Sequence, residues 1–222
     1  MKIKLSCLIL AFVCALGVAS AFGQAKEISE AEFNAVYKVG YGTLEGASYR
    51  LKRTFIRPRD GTPPDAEYME SEVSEFMPPD RNRTVVILRT AEGRKRTETI
   101  EVGKRKFTRL NGGAWSEEKD RDLNRYSIFG DPVGKKETKI FRNIGPTRLG
   151  NKDVDVYEGL TTSEYHFKTG PTTVESFQRV WITKDGRFVK TESRFTNNGI
   201  LIDHTVSEYE YDRSIRINIP IK

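Results

Sequence analysis

The residues able to do chemistry in this chain are few, and their spacing points away from catalysis. Two histidines occur, His166 and His204, each inside an alternating stretch that reads as a β-strand. No His-x-His, His-Glu-x-x-His or Asp-rich loop offers the spacing that zinc or calcium needs. Gly40-Tyr41-Gly42 lacks the preceding strand and the third glycine of a nucleotide-binding turn, and no Gly-x-Ser-x-Gly elbow presents a nucleophile. Glu70, Glu72 and Glu75 form a carboxylate group around Ser71 and Ser74. A glycosidase requires two carboxylates facing each other across a cleft. Glu70 and Glu72 instead fall on one face of a strand, as an acidic row opposite nearby arginines. Asn82-Arg83-Thr84 matches the glycosylation triplet, which matters only in a eukaryotic secretory route. The expectation is a non-enzyme with no catalytic residue, no metal and no cofactor.

The amino terminus reads as an export signal. Lys2-Ile3-Lys4 is a short positive region, Leu5 to Val18 is continuously apolar, and Ala19-Ser20-Ala21 supplies a small-x-small cleavage pattern. An apolar run of about 14 residues is too short to span a bilayer, which takes about 20. Residues 1–21 therefore read as a signal peptide and residues 22–222 as one exported, periplasmic domain. Both cysteines, Cys7 and Cys14, leave with the leader, so disulfide and thiolate chemistry leave too. The chain's +6 charge falls by two as Lys2 and Lys4 are removed. What remains is mildly basic, with both signs interspersed, which suits solubility and some attraction to anionic lipid. Nucleic acid is not an expected partner, because the basic groups at Arg50–Arg59, Arg94–Arg96 and Lys104–Lys106 fit solvated strand and turn faces. A monomer is expected.

The elements that would position any site are mainly strands. Ser29 and Glu32 make a capping box, followed by Phe33, Val36, Tyr37, Gly40, Leu44 and Ala47 at helical spacing. After Ser48 the period changes to two. Turns at Asp60-Gly61, Pro78-Pro79-Asp80, Glu92-Gly93, Gly103 and Asn111-Gly112-Gly113 separate short strands. Ser116 to Phe129 reads as a second helix, with Glu117 and Glu118 in its first turn and Leu123 and Tyr126 on one side. From Lys139 onward the chain reads as long hairpins, with tight turns at Asp185-Gly186 and Asn198-Gly199. Ile215, Ile217 and Ile219 alternate with polar residues as a final strand. The expected fold is mainly β (α+β): a strongly curved antiparallel sheet of about ten strands, a half-barrel, with two helices packed on or in its concave face.

The bulky apolar positions of these strands include Phe55, Phe76, Phe107, Phe141, Phe177, Trp181, Phe188 and Phe195. An aromatic-lined curved sheet partly filled by a helix leaves a cleft suited to acyl chains. The residues expected to line it are Tyr37, Phe55, Phe76, Leu88, Phe107, Trp115, Phe177 and Trp181, on one face. A fully filled core with no cavity fits the same pattern.

Val180 to Ser193, with Glu208 to Asp212 and Ile215 to Pro220, resembles the ending of LolA/LolB-like periplasmic proteins. Pro78-Pro79-Asp80-Arg81 and Gly112-Gly113-Ala114-Trp115 are similar to segments of uncharacterised bacterial members. The resemblance implies a half-barrel wrapped round helices, with a hydrophobic cavity that carries lipid or lipoprotein acyl chains. It implies a carrier or sensor with lipid or a lipidated protein as partner, in transient contact with the envelope membrane. No functional residue of the family carries over onto a matching motif. Two other readings stand beside it: an envelope protein-interaction module without lipid cargo, and an enzyme built on a carboxylate pair.

Overall fold

Period-two patterning dominates the chain because most of it pairs as strand. The computed structural model describes residues 25–56, 68–118, 134–167 and 170–220. The expected leader and the Asp60-Gly61 turn lie outside the described residues. The elements run β1 (Lys26–Ile28), α1 (Glu30–Glu45), β2 (Tyr49–Phe55), β3 (Tyr68–Met77), β4 (Arg81–Thr90), β5 (Gly93–Val102) and β6 (Arg105–Leu110). There follow β7 (Ser116–Glu118), β8 (Gly134–Leu149), β9 (Lys152–Phe167), β10 (Gly170–Ile182), β11 (Phe188–Asn197) and β12 (Ile200–Tyr211). The twelve strands form one antiparallel sheet in the order β1-β8-β9-β10-β11-β12-β2-β3-β4-β5-β6-β7, and its ends do not close on each other.

Helix α1 begins where the sequence places it. Ser29 Oγ accepts the Glu32 N–H at 3.2 Å, and Glu32 Oε2 accepts the Ser29 N–H at 2.7 Å. The helix then crosses the sheet. Phe33 stacks near Phe141 of β8, with centroids 4.8 Å apart. Gly40 lies on Phe188 of β11, and the Thr43 hydroxyl, which donates to the Gly40 carbonyl at 2.7 Å, is 3.4 Å from the Tyr211 hydroxyl of β12. Sixteen helical residues span about 24 Å, the same ~24 Å as the five strand spacings from β8 to β2. The length of α1 is therefore the width of sheet it must cross before the chain enters β2 beside β12.

The face under α1, here the helix side, holds the buried Val180, Ile182 and Phe188 with Val36, Tyr37, Leu44, Tyr157 and Tyr209 around them. Directly opposed pairs lead from Tyr209 through Leu51, Ser74 and Thr84 to Thr99 without leaving that side. Ile100, next to Thr99, consequently points to the far face. There it is covered by Ile215 and Ile217, with Met77, Val102 and Trp115 alongside. Two apolar cores thus occupy opposite faces of opposite halves of one sheet.

Three expectations need correction. Among the described residues there is one helix, not two: Ser116–Glu118 is β7, paired with β6. Glu117 and Glu118 form ion pairs with Arg105 and Lys106, at 2.8 and 3.0 Å, rather than sitting in a first helical turn. Leu123 and Tyr126 lie outside the described residues. Among the described residues the strands number twelve rather than about ten, because β1 and β7, three residues each, are too short to show a period. Ile215 to Ile219 is not a strand. It lies across the far face, with Ile215 and Ile217 buried and the Ile217 carbonyl accepting from Arg81 Nη1 at 2.8 Å. Alternation reports which way side chains face, and an extended tail resting on a sheet shows the same alternation as a paired strand.

Candidate functional site

The helix side of the sheet carries a continuous run of aromatic rings. It starts at Phe141, passes through Phe33 and Tyr37 of α1 (5.2 Å apart), and reaches Phe188 at 5.9 Å from Tyr37. From Phe188 it continues to Tyr209 at 5.4 Å, then to Tyr49 of β2 at 6.4 Å, and ends where Tyr49 stacks on Phe76 of β3 at 4.5 Å. Register builds this run: Tyr49 is the direct partner of both Tyr211 and Phe76. Phe33 and Phe188 are buried, whereas Tyr49 and Phe76 are half-buried, beyond the strands that α1 crosses.

Four phenols edge the run. Burial, then the neighbouring Tyr41 and Tyr209, pushes the Tyr37 phenol up. Burial, with Tyr209 and Tyr211 nearby, pushes Tyr49 up to about 12. Burial also raises Tyr209 and Tyr211, the latter against a hydrogen bond with Thr43 that lowers it. All four are therefore neutral hydroxyl donors at physiological pH. Ring faces flanked by neutral donors can hold an amphiphile, apolar along the rings and hydrogen-bonded at the rim.

The eight residues expected to line one surface divide between two. Tyr37 and Phe76 belong to the aromatic run. Phe55 and Leu88 share the helix side but lie about 20 Å away along the strands, beyond the Arg53–Glu72 ion pair (2.7 Å) and the Ser74–Thr84 hydroxyl contact (3.0 Å). Phe107 opposes Ile100, and Trp115 packs against the Ile215 and Ile217 cluster, so both face the other way. Phe177 and Trp181 also point to the far face, because Val180 and Ile182 are the residues under α1 and β10 alternates without interruption opposite β9. Arg194 and Arg179 lie 4.1 and 5.4 Å from the Phe177 ring, and Arg179 and Lys190 lie 5.6 and 5.1 Å from Trp181. Phe188, Tyr49 and Tyr209 were missed as site residues. Val180 and Ile182 flank Trp181, and register, not the alternation within β10, puts them rather than the indole under α1.

The groups considered for chemistry are engaged in the sheet. Glu70 pairs with Arg94, Glu72 with Arg53, and Glu75 with Arg50 and Arg83. His204 Nε2 lies 2.9 Å from Glu192 Oε1. Glu98, buried at 1 %, is held by Arg83, Arg96 and Arg109 at 2.7, 3.0 and 2.7 Å. Burial pushes its carboxyl up, but hydrogen bonds from Arg109 and Arg83 outweigh that and hold it below the ordinary range. Among the described residues, no three His, Cys, Asp or Glu side chains are grouped to hold a metal ion.

A hollow of about 870 Å³ opens at the carboxyl end of α1, lined by Thr43, Gly46, Ala47, Ser48, Asp185, Arg187, Tyr211 and Arg213. Arg187 Nε is 3.1 Å from Asp185 Oδ2, and its guanidinium lies 5.3 Å from the Tyr211 ring. Tyr211 joins the hollow to the aromatic run, its ring 6.3 Å from Tyr49. No family model matches this sequence, and no curated protein matches it.

Proposed function

We propose that this chain is a non-enzymatic binder of an apolar or amphiphilic ligand, a lipid or lipoprotein acyl chain, acting as a carrier or sensor in the bacterial envelope. In this reading residues 1–21 are a cleaved signal peptide and residues 22–222 a periplasmic LolA/LolB-like domain whose sheet curves into a half-barrel around α1. The observation that carries it is the aromatic run continuing past α1 to the half-buried Tyr49–Phe76 stack. Half-buried stacked rings beside neutral phenols offer an acyl chain apolar area at little desolvation cost. Mass spectrometry of lipids co-purified with the protein from its native host tests this. Recovered acyl lipid at near-equimolar amount supports the carrier reading, and lipid-free protein that also fails to take up added fatty acid refutes it.

A second reading rests on the far face. The Trp181-Arg179-Phe177 column with Lys190 and Arg194 over its rings has the composition of a protein-binding hot spot. It supports an envelope interaction module without lipid cargo. Cross-linking that captures one partner through residue 181, abolished by Trp181→Ala, is the result this reading requires.

A further inference from the structure

We infer that the hollow at the end of α1 is an anion site, which takes the carboxylate or phosphate head of an amphiphile whose chain lies on Tyr49 and Phe76. This deepens the binder reading and rests on it.

Three features meet at the hollow. First, its polar wall is cationic in balance: Arg187 and Arg213 face one carboxylate, Asp185. Arg187 is committed to that carboxylate and to the Tyr211 ring. Arg213 is exposed and forms no ion pair among the described residues. Nearby Asp212 is already occupied, accepting from the Ser214 N–H at 2.8 Å and the Ser214 hydroxyl at 2.6 Å. A guanidinium without a carboxylate presents a planar fork that fits carboxylate and phosphate oxygens in pairs.

Second, the floor is open. A Cβ built on Gly46 would meet nothing within 4 Å. Third, the hollow is continuous with the aromatic run through Tyr211, whose hydroxyl can donate to the same anion. The carboxyl end of α1 opposes an anion by its partial negative charge, and its last turn carries no basic residue. The two arginines must outweigh that end, so the selectivity expected is moderate rather than large.

The test is titration calorimetry of the full mature chain with four probes sharing a twelve-carbon chain: dodecanoate, dodecyl phosphate, dodecanol and dodecyltrimethylammonium, each below its micelle concentration. Dodecanoate or dodecyl phosphate should bind about tenfold or more tightly than dodecanol, the scale of one charge-assisted contact in a partly open site. Whichever of the two binds tighter identifies the head as carboxylate or phosphate. Arg213→Gln should bring the anionic probe to within about threefold of dodecanol and leave dodecanol unchanged. Arg148→Gln, an equal charge change at an exposed position near the end of β8, should leave the preference intact. Equal binding of anionic and neutral probes overturns the anion site while the binder reading stands. An equal loss in Arg148→Gln also overturns it, by showing a whole-protein charge effect. If none of the four binds, the binder reading and the anion site both fall.

Discussion

Gly40→Ala is the sharpest test of the helix seat, because the added methyl has nowhere to go. A Cβ at residue 40 would stand 2.1 Å from Phe188 Cζ and 2.4 and 2.5 Å from its two Cε atoms. Phe188 is 1 % exposed and packed with Val180 and Ile182, with Tyr41 and Tyr209 each 5.4 Å from its ring. The ring cannot swing aside without displacing those neighbours, so the helix must lift from the sheet. Overpacking of this kind costs typically 1–3 kcal/mol, and a clash more than an ångström inside contact distance belongs at the upper end, about 3 kcal/mol. Replacing glycine in mid-helix returns about 1 kcal/mol of propensity. The net expectation is a loss of roughly 2 kcal/mol, a fall in Tm of about 4–8 °C for a chain this long. Gly42→Ala supplies the internal control: nothing lies within 4 Å of its Cβ, so the propensity gain should appear alone and raise Tm by about 2–4 °C. Thermal unfolding followed by circular dichroism measures both. If Gly40→Ala stabilises as Gly42→Ala does, α1 does not press on Phe188 and the description of the helix-side core is wrong.

Two further substitutions probe the turn and the buried carboxylate. Gly186 has φ +83° and its Cβ would sit 2.5 Å from Val39 Cγ1, whereas Gly199 (φ +77°) has open space. Both alanine variants should lose about 1 kcal/mol to backbone strain, Gly186→Ala should lose more, and Val39→Ala should recover only that excess in urea denaturation. Glu98→Gln leaves three guanidiniums around an uncharged group. A fully buried pair costs about 3–5 kcal/mol to break, but these arginines are 38, 39 and 28 % exposed, so a loss of roughly 2 kcal/mol is expected. The Glu98 carboxyl is held below its unfolded value, so its contribution is complete above the ordinary carboxylate range and disappears as pH falls through the depressed folded value. Stability measured against pH should therefore fall less steeply below pH ~4.5 in Glu98→Gln. An unchanged acid limb contradicts the cage.

Much of the architecture was legible from local signals. Ser29 and Glu32 marked the start of α1, and the positive φ of Gly186, Asn198 and Gly199 matches the turns that Asp185-Gly186 and Asn198-Gly199 foretold. The ladder from Thr84 to Leu110 followed from alternation and its turns. The site was less legible, for a physical reason. Alternation sorts residues into two faces within a strand, but only register says which face of one strand continues which face of the next. Choosing the largest side chains of the strands therefore took Trp181 and Phe177 from one face and Phe55 and Phe76 from the other. Bulges between Trp181 and Ile182 and at Met69–Ser71 shift that continuity further without a glycine to mark them, and the one between Asn143 and Gly145 is marked only by Gly145, whose φ is +97°. The Tyr49–Phe76 stack and the approach of Arg213 to α1 depend on pairings between segments far apart in sequence.

Acyl binding on the helix side rather than the far face is directly measurable by titrating a dansylated undecanoic acid into the wild type, Phe76→Glu and Phe177→Glu. A carboxylate at residue 76 enters the aromatic run beside Tyr49 and must be desolvated against any acyl chain laid there. At residue 177 it meets Arg179 and Arg194 on the far face and leaves the run untouched. With both variants folded by circular dichroism, the wild type should bind, Phe76→Glu should lose about tenfold or more in affinity, and Phe177→Glu should change by no more than about twofold. A wild type that binds no fatty acid, or a loss confined to Phe177→Glu, would rule out an acyl site on the aromatic run.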